Sequence, residues 1–184
     1  MKATTVIGAA AALLGAYMAG DQLATARAGL KAQQAAIHDA WLQVDAVLER
    51  RAALVPRLVE ALRHDTLAGP ALGDLSAARD EFLAARSTRG RISANARLES
   101  TIARLLPLLQ ERPGRLPYPA LTSLRDDLTQ WENEVAVERR KYNDAVQKYN
   151  TSIELFPNNV AASLFGFARD DAYFQTEPAK RDAP

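Results

Sequence analysis

The chain of 184 residues contains no cysteine. That excludes disulfides, thiolate metal sites, a cysteine nucleophile and a lipobox-type lipid anchor. It has two histidines, His38 and His64, so metal and acid–base chemistry have few candidates. Valine and isoleucine together number only 14, against 36 alanines and 24 leucines. This balance favours helix and starves a β-sheet of the branched residues it prefers. Neither sign of charge is in excess: Lys+Arg 23 against Asp+Glu 22 leaves a net charge of +1. No global electrostatic pull toward nucleic acid follows, and none is expected as a partner. Apolar residues, by contrast, make up 48% of the chain, enough for a core, which excludes wholesale disorder. The length fits one domain, or one domain with an appendage.

Enzyme signatures are also missing. There is no H-E-x-x-H, no phosphate-cradling glycine loop and no G-x-S-x-G elbow. The inward-facing Glu-x-x-His pairs of di-iron bundles do not occur. Glu60 and His64 lie four apart and offer two metal ligands at most; that spacing is more often a surface hydrogen bond. Asp126-Asp127 and Asp170-Asp171 are adjacent, so on a helix their carboxylates point apart and paired acid–base work is not implied. The expectation is a protein with no catalytic residue, no metal ligand and no cofactor.

The start of the chain raises the membrane question. Lys2 is followed by eighteen uncharged residues, Ala3 to Gly20, before Asp21. As a helix this run spans roughly 27 Å at ~1.5 Å per residue, just short of a ~30 Å hydrocarbon core. The stretch to Ala26 adds only Asp21 as a charge. Three readings compete: a single-pass anchor over residues 1–26, a secretory signal cleaved near Ala24-Thr25-Ala26, or a buried soluble helix. The anchor is favoured because the run flows into a helical pattern without a break. Positive-inside counting is nearly tied, Lys2 and the amino group against Arg27 and Lys31 less Asp21. It leans toward a bundle outside the cytoplasm.

From Ile37 onward, apolar residues recur in alternating steps of four and three: Ile37, Trp41, Val44, Leu48, then Val55, Leu58 and Leu62. That is the mark of a helix burying one narrow seam. Pro56 lies inside this pattern and is expected to bend the helix, which ends near Asp65 with Gly69-Pro70 as the turn. A second helical region runs from about Ala71 to Gln110, with a polar middle, Ser87 to Arg91, an irregularity at Gly90 and a second proline at Pro107. Pro113-Gly114, Pro117 and Pro119 mark a loop. A third region carries Leu121, Leu124, Leu128, Trp131, Val135, Tyr142, Ala145 and Tyr149, extended by Ile153 and Phe156 and stopped by Pro157. A short aromatic segment, Val160 to Phe167, follows, and 177–184 is a polar tail. The fold class is all-α: an elongated up-and-down bundle over 27–176, with three long helical regions or four helices, preceded by the membrane helix.

Several residues stand out against this pattern. Arg51 and Glu138 each occupy a seam position that calls for an apolar side chain. Three regions joined by short connections would run the first and third in parallel, placing the two charges at similar heights and able to pair across the core. Tyr142-Asn143 and Tyr149-Asn150 repeat after seven residues, with rings on the seam and amides beside it. They read as a polar ladder that fixes helix register, or as a ligand site. Arg86, Arg89, Arg91, Arg97, Arg104, Arg112 and Arg115 face only Glu99 and Glu111, a local charge of +5. They read as a solvated face or as a contact with anionic lipid or an acidic partner. Phe165, Phe167, Tyr173 and Phe174 form either a lid packed on the bundle or a partner-facing patch.

The sequence resembles the LemA family of bacterial membrane-associated helical proteins. The resemblance rests on Ala40-Trp41, Asp45, Arg50-Arg51, Leu54-Val55-Pro56 with Leu58-Val59, Ala78-Arg79 and Glu132-Asn133. It is densest at Tyr142-Asn143, Tyr149-Asn150-Thr151, Phe156-Pro157-Asn158 and Phe165-Gly166-Phe167. It covers roughly Ile37 to Phe174, matches poorly over Leu67 to Leu116, and departs from the family at Arg57, where an asparagine is usual. The resemblance implies an N-terminal membrane segment, a helical bundle and no established enzymatic activity. Some relatives look like membrane-organising proteins of magnetosomes, and others are found near membrane proteases. The expectation is a single-pass scaffold or adaptor of the bacterial plasma membrane with a protein partner in the membrane or envelope. The rival is a helical module binding a ligand or anionic lipid.

Overall fold

The computed structural model describes residues 2–63, 68–110 and 118–175. Among these lie six helices and no strand: α1 (Lys2–Ala52), α2 (Val55–Leu62), α3 (Gly69–Ala84), α4 (Thr88–Gln110), α5 (Tyr118–Ser152) and α6 (Asn158–Phe165). A non-helical strap, residues 167–175, follows α6. The chain forms two compact units. One contains Met1–Asp39 and Asp144–Asp171, the other Ala40–Asn143 and Ala172–Pro184.

Proline sets the helix ends more sharply than a bend would. Pro56 has no N–H for the carbonyl of Ala52, so α1 stops there instead of running on toward Asp65. The chain tightens: the Leu54 N–H donates to the Arg51 carbonyl at 3.0 Å, and the ladder restarts as Leu58 N–H reaches Leu54 at 3.0 Å. Pro56 thereby falls in the first turn of α2, where no N–H is needed. Gly69-Pro70 behaves likewise, opening α3 rather than forming the turn before it. Pro119 sits in the first turn of α5, not in a loop.

The second helical region is two helices. Ser87 stands ahead of α4, and its hydroxyl accepts from the Gly90 N–H at 3.1 Å, an N-cap. A Cβ at Gly90 would lie 2.9 Å from that hydroxyl oxygen, so only glycine lets the cap close without a shift. The break adds a reversal of chain direction. Glu81 pairs with Arg97 and Asp74 with Arg104, so α3 and α4 are antiparallel. Asp45 meets Arg91 and Arg51 meets Asn95, so α1 and α4 are parallel. Trp41 meets Tyr142 and Arg51 meets Glu132, so α1 and α5 are antiparallel. Arg57 on α2 pairs with Asp127 on α5, so α2 runs on in the direction of α1. The second unit is thus an up-and-down arrangement of four legs built from five helical segments, with Val44, Leu48, Leu58, Leu75, Phe82, Leu98, Leu105, Leu128 and Val135 in its core.

The first unit gathers α1 up to Asp39, the end of α5, α6 and the start of the strap. Its core is Ala26, Leu30 and Ile37 from α1, Val146 and Tyr149 from α5, Ile153, and Ala161 and Ala162 from α6. The third helical region ends at Ser152, short of Phe156, and Pro157 stands ahead of α6. Gly166 closes α6 with φ +74°, and its N–H and that of Phe167 both reach the Ala162 carbonyl. This left-handed cap favours glycine, which has no Cβ to clash.

The uncharged run 3–20 is helical and continuous with the rest of α1. Among the described residues no helix is long and apolar enough to cross a membrane. The side chains of 2–14 lie outside the described residues, as do His64, the loop at 111–117 with Arg112 and Arg115, and the tail 177–184.

Candidate functional site

The motif residues fall into two ion-pair clusters and a set of clamps on the strap. Arg51 is 0% exposed, on the seam where the spacing placed it. Its partner is not Glu138. One guanidinium nitrogen, Nη1, donates to Glu132 Oε1 at 3.1 Å, and Nη2 donates to the Asn95 carbonyl oxygen. The extra reversal explains the difference: antiparallel α1 and α5 bring Glu132 to the height of Arg51, and Glu138 pairs instead with Lys141 one turn on. Arg50, on the outer side, lies over the Trp131 ring at 5.5 Å.

The second cluster centres on Arg91. Its Nε donates to Asp45 Oδ1 and its Nη2 to Glu49 Oε1, both at 2.7 Å, while the guanidinium lies 4.3 Å from the Phe82 ring centroid. Burial works against the charge, and the two carboxylates outweigh it, holding the pKa above the ordinary arginine value. This corrects the reading of the arginine stretch as one surface. Arg91 is buried, Arg97 pairs with Glu81 at 2.7 Å, and Arg104 lies 3.8 Å from Asp74. Arg86, Arg89, Arg97 and Arg104 are all exposed, the last two within ion pairs.

The Tyr-Asn repeat does not form a ladder between helices. Each asparagine clamps one residue of the strap. Asn143 Nδ2 donates to the Phe174 carbonyl at 2.9 Å while its Oδ1 accepts the Phe174 N–H at 3.0 Å. In the first unit Asn150 does the same to Asp170, at 2.8 and 2.9 Å. A carboxamide carries one donor face and one acceptor face like a peptide group, so it pairs with both backbone groups of a single extended residue. The tyrosines complete the clamps. The Tyr149 hydroxyl donates to the Ala168 carbonyl at 2.8 Å and accepts from Gln34 Nε2 at 3.2 Å. Burial pushes its pKa above the ordinary 10.0; the Gln34 hydrogen bond opposes this and the Asp170 charge adds to it. Tyr142 packs edge-on against both Trp41 and Phe174, with centroids 5.6 and 5.7 Å apart, and Trp41 stacks on Phe174 at 6.2 Å. Arg139 covers the Phe174 ring at 5.1 Å, donates to the Gln175 carbonyl at 3.0 Å and pairs with Glu99 at 3.1 Å.

Of the four C-terminal aromatics, Phe174 is the packed one, 3% exposed, whereas Phe165 and Tyr173 are exposed and Phe167 is half-buried. Phe165 lies under the Arg27 guanidinium at 4.7 Å. Asn95 and Arg139 escaped the sequence reading, which named Phe174 only as one of four aromatics of a lid or patch. Phe174 carried a signal, a large aromatic within a polar terminal stretch, but nothing in the spacing said where it would land. Among the described residues no group of three or more His, Cys, Asp or Glu is placed to hold a metal ion.

Two relatives share part of this sequence. Magnetosome proteins MamQ 2 and MamQ 1 of Paramagnetospirillum magneticum (strain ATCC 700264 / AMB-1) are each 28% identical to it over 88 residues, 48% of this chain and 32% of theirs. The chain thus aligns with about a third of those relatives' length. The LemA family pattern matches residues 40–184, which takes in both arginine clusters, both asparagine clamps and the strap. On that extent of match, the chain belongs to the LemA family.

Proposed function

We propose that this protein is a non-catalytic, membrane-anchored helical scaffold of the bacterial envelope, which holds or recruits another protein of the membrane or envelope. The observation that carries this reading is how the motif side chains are used. Arg51, through both terminal nitrogens, and Arg91, Arg139, Tyr149, Asn143 and Asn150 each hydrogen-bond to a partner within the fold. Groups spent in this way build a rigid support and supply no free acid, base or nucleophile. Family membership and the likeness to magnetosome proteins support an envelope setting. The anchor is residues 1–26, where an eighteen-residue uncharged run continues into α1 as helix. The bundle lies outside the cytoplasm on the weak bias of flanking charges.

Fractionation tests the anchor. The full chain should stay with membranes through an alkaline carbonate wash, and deletion of residues 3–20 should release it; release of the full chain would end the reading. Topology follows from one installed cysteine, Gln175→Cys, in a chain that has no other. A membrane-impermeant maleimide should label it in cells whose outer barrier is opened. Protection until the inner membrane is breached would place the bundle in the cytoplasm.

A further inference from the structure

The first unit exposes an unusual amount of apolar surface at one corner. Phe156 is 77% and Leu164 65% exposed, and Leu155, Val160 and Phe165 are exposed beside them in sequence. The corner is also devoid of charge. Residues 155–168 form a fourteen-residue uncharged stretch, second in length only to the run 3–20. A chain with 24% charged residues would be expected to place about three charges there. Glu154 and Arg169, the charges that bound the stretch, are paired with each other. Contiguous exposed apolar side chains of this kind mark a surface that meets something other than water.

The position of the corner along α1 says what that is. Phe165 packs under Arg27, which is seven residues beyond Gly20 and one beyond Ala26. At ~1.5 Å per residue, Phe165 lies about 10 Å past the end of the uncharged run, or about one residue past the longer span ending at Ala26; the Leu155 end of the stretch, beside Gln33, lies farther out. A bilayer of ~40–45 Å around a ~30 Å core leaves a headgroup zone of about 5–8 Å on each side. A helix seated through residues 1–26 therefore holds Phe165 at the headgroup level, whereas seating through 3–20 alone would leave it about 2–5 Å beyond that zone. Arg27, exposed and stacked on Phe165, is placed as a side chain whose stem rests on an apolar body while its charge meets lipid phosphate.

We propose that the Arg27 end of this uncharged corner docks into the headgroup region of the bilayer that holds α1, with Leu164 and Phe165 as the inserting side chains. The inference rests on the anchor proposed above, and adds a second contact between the protein and the lipid surface. The second contact holds the first unit against the membrane instead of leaving it to swing about a single helix.

The test uses the full chain reconstituted in phosphatidylcholine vesicles. The absence of native cysteine allows Leu164→Cys to carry one environment-sensitive dye, with Asn133→Cys, exposed on α5 in the other unit, as the control. Flotation first establishes that the chain is on the vesicles. The dye at 164 should then shift to the blue and be quenched by lipids bearing a nitroxide at the headgroup, with neither effect at 133. Val160→Asp with Phe165→Asp should abolish both signals at 164 while flotation persists. A chain that fails to float overturns the anchor and this inference together. A floating chain whose dye at 164 behaves as in water overturns the inference alone. A blue-shifted dye that lipid nitroxides do not quench also overturns it, and points to a protein or second copy covering the corner.

Discussion

The two units of this chain use charge in opposite ways. Met1–Asp39 with Asp144–Asp171 carries 11 charged residues among 67, and it holds both long uncharged stretches. The other unit carries 34 among 117 and places several of them inside. Arg51 is fully buried and Arg91 nearly so, each held by partners from another helix or from opposite turns of one. Burying an arginine forfeits hydration, and at Arg51 the hydrogen bonds offset this only in part, since Nε is buried without a partner; such residues specify one arrangement of helices more than they add stability. The first unit instead leaves apolar side chains outside. One unit is built to hold its own shape, and the other keeps surface available for contact.

The sharpest way to break this contrast is Arg51→Ala. Removing the guanidinium leaves Asn95 buried without its donor and opens a cavity on the seam. A loss of about 3–5 kcal/mol is expected in urea denaturation. Glu138→Ala, which removes only the pair with Lys141, should cost no more than about 0.5 kcal/mol. Equal losses at the two positions would overturn the assignment of Glu132 over Glu138 as the partner environment of Arg51.

Phe174→Ala comes next. It empties the space between Trp41 and Tyr142 and should cost about 3 kcal/mol, or as much of that as the strap contributes. Because strap residues near the chain end are released without unfolding the helices, hydrogen exchange at 170–175 should rise more than global stability falls. A stability loss with no local change in exchange would mean that the strap is not an independent element.

The clamps permit a direct comparison between units. Asn143→Ala and Asn150→Ala each remove two hydrogen bonds to one strap residue, and each should cost about 2 kcal/mol. Asn143→Asp and Asn150→Asp should do no better, since a carboxylate accepts from the N–H but cannot donate to the carbonyl. Rescue by aspartate, followed by thermal melts, would show that the donor half of the clamp is idle.

The smallest effect is alkaline and belongs to the first unit. Tyr149 has a folded pKa above its ordinary 10.0, chiefly through burial. Its neutral form therefore favours the fold fully below that ordinary value, and the contribution is lost as pH rises through the folded pKa. Phenolate absorbance during an alkaline titration should show a late step that belongs to Tyr149. Tyr149→Phe should remove that late step; its persistence would assign the shift elsewhere.

Much of this was legible in the residues. The helices follow from alanine and leucine at three- and four-residue spacing, and the burial of Arg51 follows from its place on the seam. Tyr142 and Tyr149 fell on the buried face for the same reason. The clamps were half legible. The seven-residue repeat marked Asn143 and Asn150 as special, but the chain that meets them arrives twenty or more residues later from a non-helical strap. No periodicity encodes that return. The arginine stretch misled because charge density says nothing about which face each residue takes. Arg91 turns inward to Asp45 and Glu49, carboxylates more than 40 positions away.

Some features depend only on their own neighbours: proline stops a ladder at residue 56 where a bend is the sequence expectation, glycine takes a positive φ at residue 166, and Ser87, read as part of a polar middle, caps a new helix at Gly90. Partner choice was beyond the reach of local chemistry. Whether Arg51 faces Glu132 or Glu138 depends on the direction in which α5 runs, and that direction reverses with each turn between helices. The three-residue break at 85–87 adds one such turn. A local interruption thereby sets the parity of the bundle, and through it which charge is brought opposite a buried arginine 81 residues away.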